Sequence, residues 1–511
     1  MMPILNGSRG TTKKQIVSFR GINYSDMTQD GDLKDCINLS TRRYPYLTTR
    51  RKRELMPEYS GATAMTARGE IVVIKGTDLY YGGEIVGQVT EGEKQFAVVN
   101  TKLVIFPDKK YLDLPTKKVM SLGAKITGTG AKFSKATGDL TVSGWGTDLT
   151  TLFKIGDGVT ISGCMQQANN VTLVVKDIAP TLLHFGTDVL TDATEYGEIT
   201  IERRVPDLDF ICERDNRLYG CNSKEQIIYV SALGDPTNFF AENQDAGDSY
   251  AVAVGSEGEF TGCCKHSSSV LFWKENKLHK LLGTYPAEFT LYDYNIEGLQ
   301  KGSHKSLQII NEVLYYLGIH GVYTYSGGVP QLISHSFGEK LFSNGVAGND
   351  GDTYYLSAWD GEQSNMLVYE TRTGLWMRED STDAVDFARV GVDLFVLDDT
   401  GNVYKLDGEQ NDTEVNWMAQ FAPLQETLEG KKRFNKVRLR LDIPRGSWVK
   451  AEMRYDGEGW KEAGRILGKN VDTVSFQLPV KRCDTFELRL SGYGYCTLKG
   501  LSLEYRVGSD V

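Results

Sequence analysis

Long apolar runs are missing from the chain. No stretch approaches the about 18 to 20 residues that a membrane-spanning helix needs, and the opening MMPILNGSRGTTKK has no apolar core of the secretory-signal type. Proline is scarce, at 13 of 511 residues, against 54 glycines. The eight cysteines (36, 164, 212, 221, 263, 264, 483 and 496) include no C-x-x-C pair. That spacing excludes the common zinc frameworks and gives no reason to expect a disulfide scaffold; small buried side chains account for these residues. The six histidines are scattered, with no ligand spacing among them. Motifs of nucleophilic or phosphate chemistry are absent too: there is no G-x-S-x-G, no H-E-x-x-H and no P-loop. Gly128-Thr129-Gly130 precedes a strand-like segment, whereas a phosphate cradle opens a helix. Neither cofactor nor metal is expected.

What is present is a β-rich composition. Tyrosine contributes 26 residues and phenylalanine 20, beside abundant glycine for tight turns. Hydrophobic residues make up 40% and charged residues 24%, which is globular, and the length implies several domains. The formal net charge of -10 argues against a free-standing duplex-DNA binder, which needs clustered cations to displace counterions.

A repeat organises the chain. Runs of alternating β-formers, a polar turn and a second run recur at Asn216 to Ser231, Ser269 to Leu281, Glu312 to Gly328, Thr353 to Trp376 and Val392 to Leu406. Their turns fall near 223, 275, 319, 361 and 400, a spacing of about 40 to 50 residues, the period of four-stranded propeller blades. Ile71 to Val89 and Phe96 to Leu114 fit the same form. The expected fold is therefore all-β: a roughly seven-bladed β-propeller, interrupted by Gly-turned short strands that read as an inserted small β-barrel, and followed by alternating strands of a C-terminal β-sandwich. The boundaries are residues 1–60 for an N-terminal arm joining the propeller, 61–114 for the first blades, 115–205 for the insertion, 206–411 for the remaining blades and 412–511 for the sandwich. Within this frame YETRTGLW, Tyr369 to Trp376, reads as a blade turn whose tryptophan packs between blades.

Few side chains single themselves out. TRRYPYLTTRRKREL carries Arg42, Arg43, Arg50, Arg51, Lys52 and Arg53 around Tyr44 and Tyr46. Such a cluster suits contact with DNA phosphate or an acidic neighbouring subunit, or else a solvated strand edge that blocks stray pairing. Asp209, Glu213 and Asp215 could face a central pocket, where two carboxylates would suit glycoside hydrolysis. Asn349-Asp350-Gly351-Asp352 lacks the regular ligand pattern of a calcium loop and reads as a hairpin turn.

The wording of Phe19 to Arg50 resembles the opening of tail proteins from phages and prophages of Gram-positive gut bacteria, at Gly21, Ile22, Asn23, Gly31, Asp35, Asn38, Leu39, Tyr44, Pro45, Leu47 and Arg50. Asp32 stands where that family has Glu. Segments Val205 to Cys221, Ser231 to Phe239, Gly247 to Cys263 and Lys301 to Gln331 resemble the same group, so the likeness covers most of 19–336. It implies a non-enzymatic structural protein of the virion tail, made in the host cytoplasm. It would form a homo-oligomeric ring, expected as a hexamer, that serves as a nozzle or hub, meets connector or portal-adaptor proteins and fibres, and lets double-stranded DNA pass during ejection. An acidic lumen would suit passage without adhesion. The alternative is a carbohydrate-binding or glycan-cleaving propeller used in host adsorption.

Overall fold

In the computed structural model, residues 11–243, 245–408, 415–424, 431–468 and 473–507 are described. The boundary expected at 411–412 and residues 1–10 lie outside them. The described residues form strands and short 3-10 turns, with no α-helix. No helix among them is long and apolar enough to cross a membrane. The protein is all-β, and its chain divides into two compact units, residues 63–304 and residues 1–62 with 305–511.

The first of these units, 63–304, contains four antiparallel four-stranded sheets. They are built from Ala64–Arg68 to Glu84–Gln88, Gln95–Val99 to Lys118–Ser121, Phe210–Arg214 to Tyr250–Ala253, and Gly262–His266 to Thr290–Tyr294. Their inner strands explain the repeat. Arg217–Asn222 and Ser269–Lys274 are buried at every position, because each sheet is covered on both faces. Consecutive sheets share cores: Val72, Ile74 and Leu79 pack with Leu103 and Ile105, and Tyr219 and Ile228 with Val270 and Phe272. The outermost strand Thr290–Tyr294 is mostly exposed.

Between the second and third sheets, residues 124–203 form a seven-stranded sheet with its own core around Phe133, Leu140, Ile161 and Ile199. Its backbone pairing runs from Thr172–Val174 at one end to Asp177–Ala179 at the other. The two end strands are not paired with each other, so hydrogen bonds do not close the barrel that the sequence led us to expect.

The other unit holds three further four-stranded sheets, starting at Gln308–Ile310, Ser343–Asn349 and Ala384–Val390. The last is completed by Arg53–Leu55, which pairs with Val403–Leu406. The hairpin of Val313–Gly318 and Gly321–Tyr325 shows the local logic. Tyr316 faces Tyr323 across the strands, with rings stacked 5.7 Å apart.

Two larger sheets, of seven and six strands, make up the rest of this unit. Side chains alternate strictly along Trp448–Tyr455, where Val449, Ala451, Met453 and Tyr455 point inward. Most of the N-terminal arm belongs here and not to the four-stranded sheets. Thr12–Ile16 pairs with the last strand, Thr12 opposite Tyr505, and Asp32–Ile37 pairs with Asn416–Phe421. Gly21 marks the point where the arm abuts its neighbours. Its φ is +85°, and a Cβ there would sit 2.4 Å from the Trp376 carbonyl oxygen.

Candidate functional site: a carboxylate pair on one guanidinium

A cleft of about 590 Å³ opens in the second unit, 1–62 with 305–511, at one end of two neighbouring four-stranded sheets. Its walls are turns. Asp350 and Asp352 lie between Ser343–Asn349 and Thr353–Trp359, Arg372 and Thr373 follow Ser364–Glu370, and Val392 precedes Asp393–Asp398. Each turn follows from polar residues and glycine punctuating an apolar run. Asp350 caps its own turn, its Oδ1 accepting from the Thr353 N–H at 2.9 Å and the Asp352 N–H at 3.2 Å.

Arg42 enters from the segment between Leu39–Ser40 and Leu47–Thr49. Its Nε donates to Glu370 Oε1 at 3.0 Å, and its Nη2 donates to Asp350 Oδ2, to Thr353 Oγ1 at 3.1 Å and to Tyr355 Oη at 2.6 Å. One guanidinium thus holds two carboxylates within hydrogen-bond reach of a single planar fork. The two acids respond differently. Burial dominates at Glu370 and raises its pKa, although Arg42 opposes this. Burial also works against the Asp350 carboxylate, but Arg42 and the two turn N–H groups outweigh it and hold its pKa below the ordinary range. Burial pushes the Tyr355 phenol well up, so it stays neutral. Two acids whose ionisation is driven apart in one cleft are the arrangement that supports paired proton donation and charge stabilisation. Tyr44, half exposed, lies on the cleft wall.

Of the other residues in the sequence cluster, Arg51 shares the cleft, and Arg43, Arg50 and Arg53 take partners elsewhere. Arg53 is buried against Glu379 at 2.7 Å and Asp380 at 2.8 Å. Arg51 pairs with Asp407 on the cleft rim. Arg50 donates to Asn38 Oδ1 at 2.7 Å, and Arg43 to the Tyr495 hydroxyl at 2.9 Å. Arg43, Arg51 and Lys52 are exposed. Arg42 and Arg53 could reach a phosphate or a second subunit only by giving up ion pairs within the chain.

Asp209, Glu213 and Asp215 do not converge. Asp209 accepts from the Ser223 N–H, Glu213 from the Asn216 N–H, and Asp215 pairs with Arg214. Two carboxylates that converge at the cleft, Asp350 and Glu370, are 20 residues apart in sequence and meet through a residue more than 300 positions away. Among the described residues, no group of three or more His, Cys, Asp or Glu is placed to hold a metal, and the eight cysteines are all free thiols.

No family model matches the chain, and no curated protein matches it. Solved structures do. An exo-β-1,3-galactanase from Phanerochaete chrysosporium with galactose matches at 8% identity, over 56% of this chain and 92% of that one, with a TM-score of 0.23. A GH43 glycoside hydrolase engineered to display both endo-xylanase and exo-arabinofuranosidase activity matches at 10% identity, over 59% and 98%, with a TM-score of 0.21. The dihydro-heme d1 dehydrogenase NirN matches at 12% identity, over 74% and 73%, with a TM-score of 0.27. Glycoside hydrolases stand among these structures where the resemblance at Phe19 to Arg50 implied phage tail proteins. The expectation of a virion tail ring conducting DNA, and with it that of a non-enzymatic protein, is corrected on this finding. Likeness at these scores assigns no substrate.

The motif residues behind that resemblance have structural work of their own. Asp35 binds Arg378 through both oxygens, at 3.1 and 3.0 Å, Asn23 donates to Asp32 at 2.8 Å, and Asn38 takes a positive φ of 56° while its side chain holds Arg50. Asp35 fixes the arm to a neighbouring sheet and the other two contacts brace the arm internally, so their spacing reports how the arm packs and leaves the activity open.

Proposed function

We propose that the chain is a glycan-directed protein whose seven four-stranded sheets are propeller blades, with the 124–203 sheet an insertion between two of them in sequence, and that it cleaves glycosidic bonds in the Arg42 cleft. The observation that carries this is the Asp350–Glu370 pair sharing one guanidinium with opposite ionisation tendencies. Glu370, whose pKa burial raises, donates a proton to the departing glycosidic oxygen. Asp350, kept ionised, stabilises the positive charge that develops on the sugar ring or activates water. Arg42 keeps both carboxyl groups in place through the reaction, and Tyr44 presents a face on which a sugar ring can stack.

The test is a reducing-sugar assay across a panel of neutral β-linked and α-linked polysaccharides, run beside equilibrium binding to the same panel. Glu370→Gln should lower the turnover of a cleaved glycan about 10²-fold or more while leaving its binding in place. A panel in which the purified protein neither binds nor cleaves any member overturns the reading.

A further inference from the structure

The other compact unit, 63–304, carries a second constellation. His279 lies in Lys277–Leu282, with its side chain fully buried, and is the cross-strand partner of Asp293 in the outermost strand Thr290–Tyr294. The imidazole Nδ1 meets Asp293 Oδ1 at 2.5 Å. Its other nitrogen, Nε2, meets Ser256 Oγ at 2.7 Å. Ser256 comes from the loop that follows Tyr250–Ala253, so three elements converge on one ring.

The hydrogen bonds settle the roles. Asp293 can only accept when ionised, so Nδ1 carries the hydrogen and Nε2 offers a lone pair to the Ser256 hydroxyl. Burial holds this imidazole below its ordinary pKa, against the pull of Asp293, and Lys274 and Lys277 add to the effect. The ring is therefore neutral at neutral pH, with the lone pair of Nε2 turned to Ser256. The loop is held as well: Lys274 Nζ donates to the Ser256 carbonyl at 2.8 Å and the Glu257 carbonyl at 3.2 Å, and to Gln226 Oε1 at 2.7 Å. Phe260 packs edge-on against the imidazole, at 6.0 Å. The N–H groups of Glu257 and Gly258, directly after the serine, meet no intrachain acceptor among the described residues.

We propose that Ser256, His279 and Asp293 form a nucleophilic serine site that hydrolyses short-chain carboxylic esters. Ser256 Oγ bonds to the ester carbonyl carbon as its proton passes to His279 Nε2, and the carbonyl electron pair moves onto oxygen, toward the N–H groups of Glu257 and Gly258. Collapse breaks the bond to the alcohol oxygen, which takes the proton from His279. Water then repeats the sequence, releasing the acid and restoring the serine, with no oxidant or reductant needed. Asp293 acts through His279, as a positioning residue. The acyl group must be short, because the loop is open and flanked by the exposed carboxylates of Glu257 and Glu259, which hold no hydrocarbon chain. The order Ser256, His279, Asp293 follows none of the local serine motifs. The geometry defines such a site, and the order of its residues along the chain does not.

The experiment uses the full chain, with a fluorophosphonate probe and p-nitrophenyl acetate. We expect one label per chain, located on Ser256 by peptide mass mapping, and ester hydrolysis that Ser256→Ala lowers on the order of 10³-fold or more. His279→Asn should abolish labelling. Asp293→Asn should lower the rate and shift its pH profile, and Asp293→Glu should restore part of it, which a merely structural carboxylate would not do. The labelling is read on the unaltered protein, so a misfolded variant does not obscure it. An unlabelled chain, a label on another residue, or wild-type turnover by Ser256→Ala overturns the proposal.

Discussion

Arg217 and Arg42 solve the same problem in opposite ways, one in each compact unit. Arg217 is fully buried in 63–304, its guanidinium lies over the Phe289 ring at 6.0 Å, and its hydrogen-bond acceptors are carbonyls alone: Ser231 at 2.9 Å, Asp248 at 2.6 Å and Ala246 at 2.5 Å. Its charge is not neutralised by a carboxylate, burial lowers its pKa, and its Nε has no hydrogen-bond partner. Arg42 lies against two carboxylates and keeps its charge more firmly than a free arginine, despite the burial that opposes it. A guanidinium held by carbonyls pins backbone and offers a ligand nothing. A guanidinium shared by two acids leaves each of them in a different protonation tendency, and that difference is usable chemistry.

The largest expected effect breaks the carbonyl-held member. Arg217→Ala removes the donors to three carbonyls and opens a cavity, and should cost about 3–5 kcal/mol of stability, read as a fall in the denaturant midpoint of the full chain. Arg217→Lys should recover only part of it, because one ammonium cannot reproduce a planar fork. Arg42→Met should cost less, about 2–3 kcal/mol, since the side chain is 18% exposed and water can reach the released carboxylates. If the two substitutions cost the same, the contrast between a structural and a functional arginine fails.

The sequence makes the repeating part of this protein legible and leaves the sites dark, for physical reasons. Strand pairs such as Val313–Gly318 with Gly321–Tyr325 are local, and alternation, aromatics and a turn glycine announce them. The same pattern marks Trp376 as a packing residue: it is buried, donates Nε1–H to the Ile333 carbonyl at 2.9 Å and lies 4.9 Å from the Phe337 and Tyr369 rings. Pairing across the whole chain has no such signature, so Thr12 opposite Tyr505 could not be foreseen. Asp350 shows both cases in one side chain. Oδ1 caps the hairpin turn that its neighbours foretell, whereas Oδ2 meets an arginine from the N-terminal arm. Ser256 is equally silent, because its histidine and aspartate approach through sheet register and no motif records register. Arg42 is one of six clustered cations, of which Arg51 shares its cleft while Arg43, Arg50 and Arg53 take other partners.

The smallest expected effect sharpens the comparison inside the Arg42 cleft, through pH. Glu370 has a raised pKa in the folded chain, so its contribution is fully present below its unfolded value and is lost as pH rises through the folded one. Asp350 has a lowered pKa, so its contribution is present above its unfolded value and is lost as pH falls through the folded one. The two therefore tilt the stability curve in opposite senses on the acid side of neutrality. Glu370→Gln should remove the loss on raising the pH above the ordinary glutamate range, and Asp350→Asn should remove the loss on acidification below the ordinary aspartate range. Denaturant titrations of the three proteins between acid and neutral pH measure both slopes. Parallel curves would mean that the two carboxyl groups titrate alike, and the division of labour between acid and anion would then have no basis.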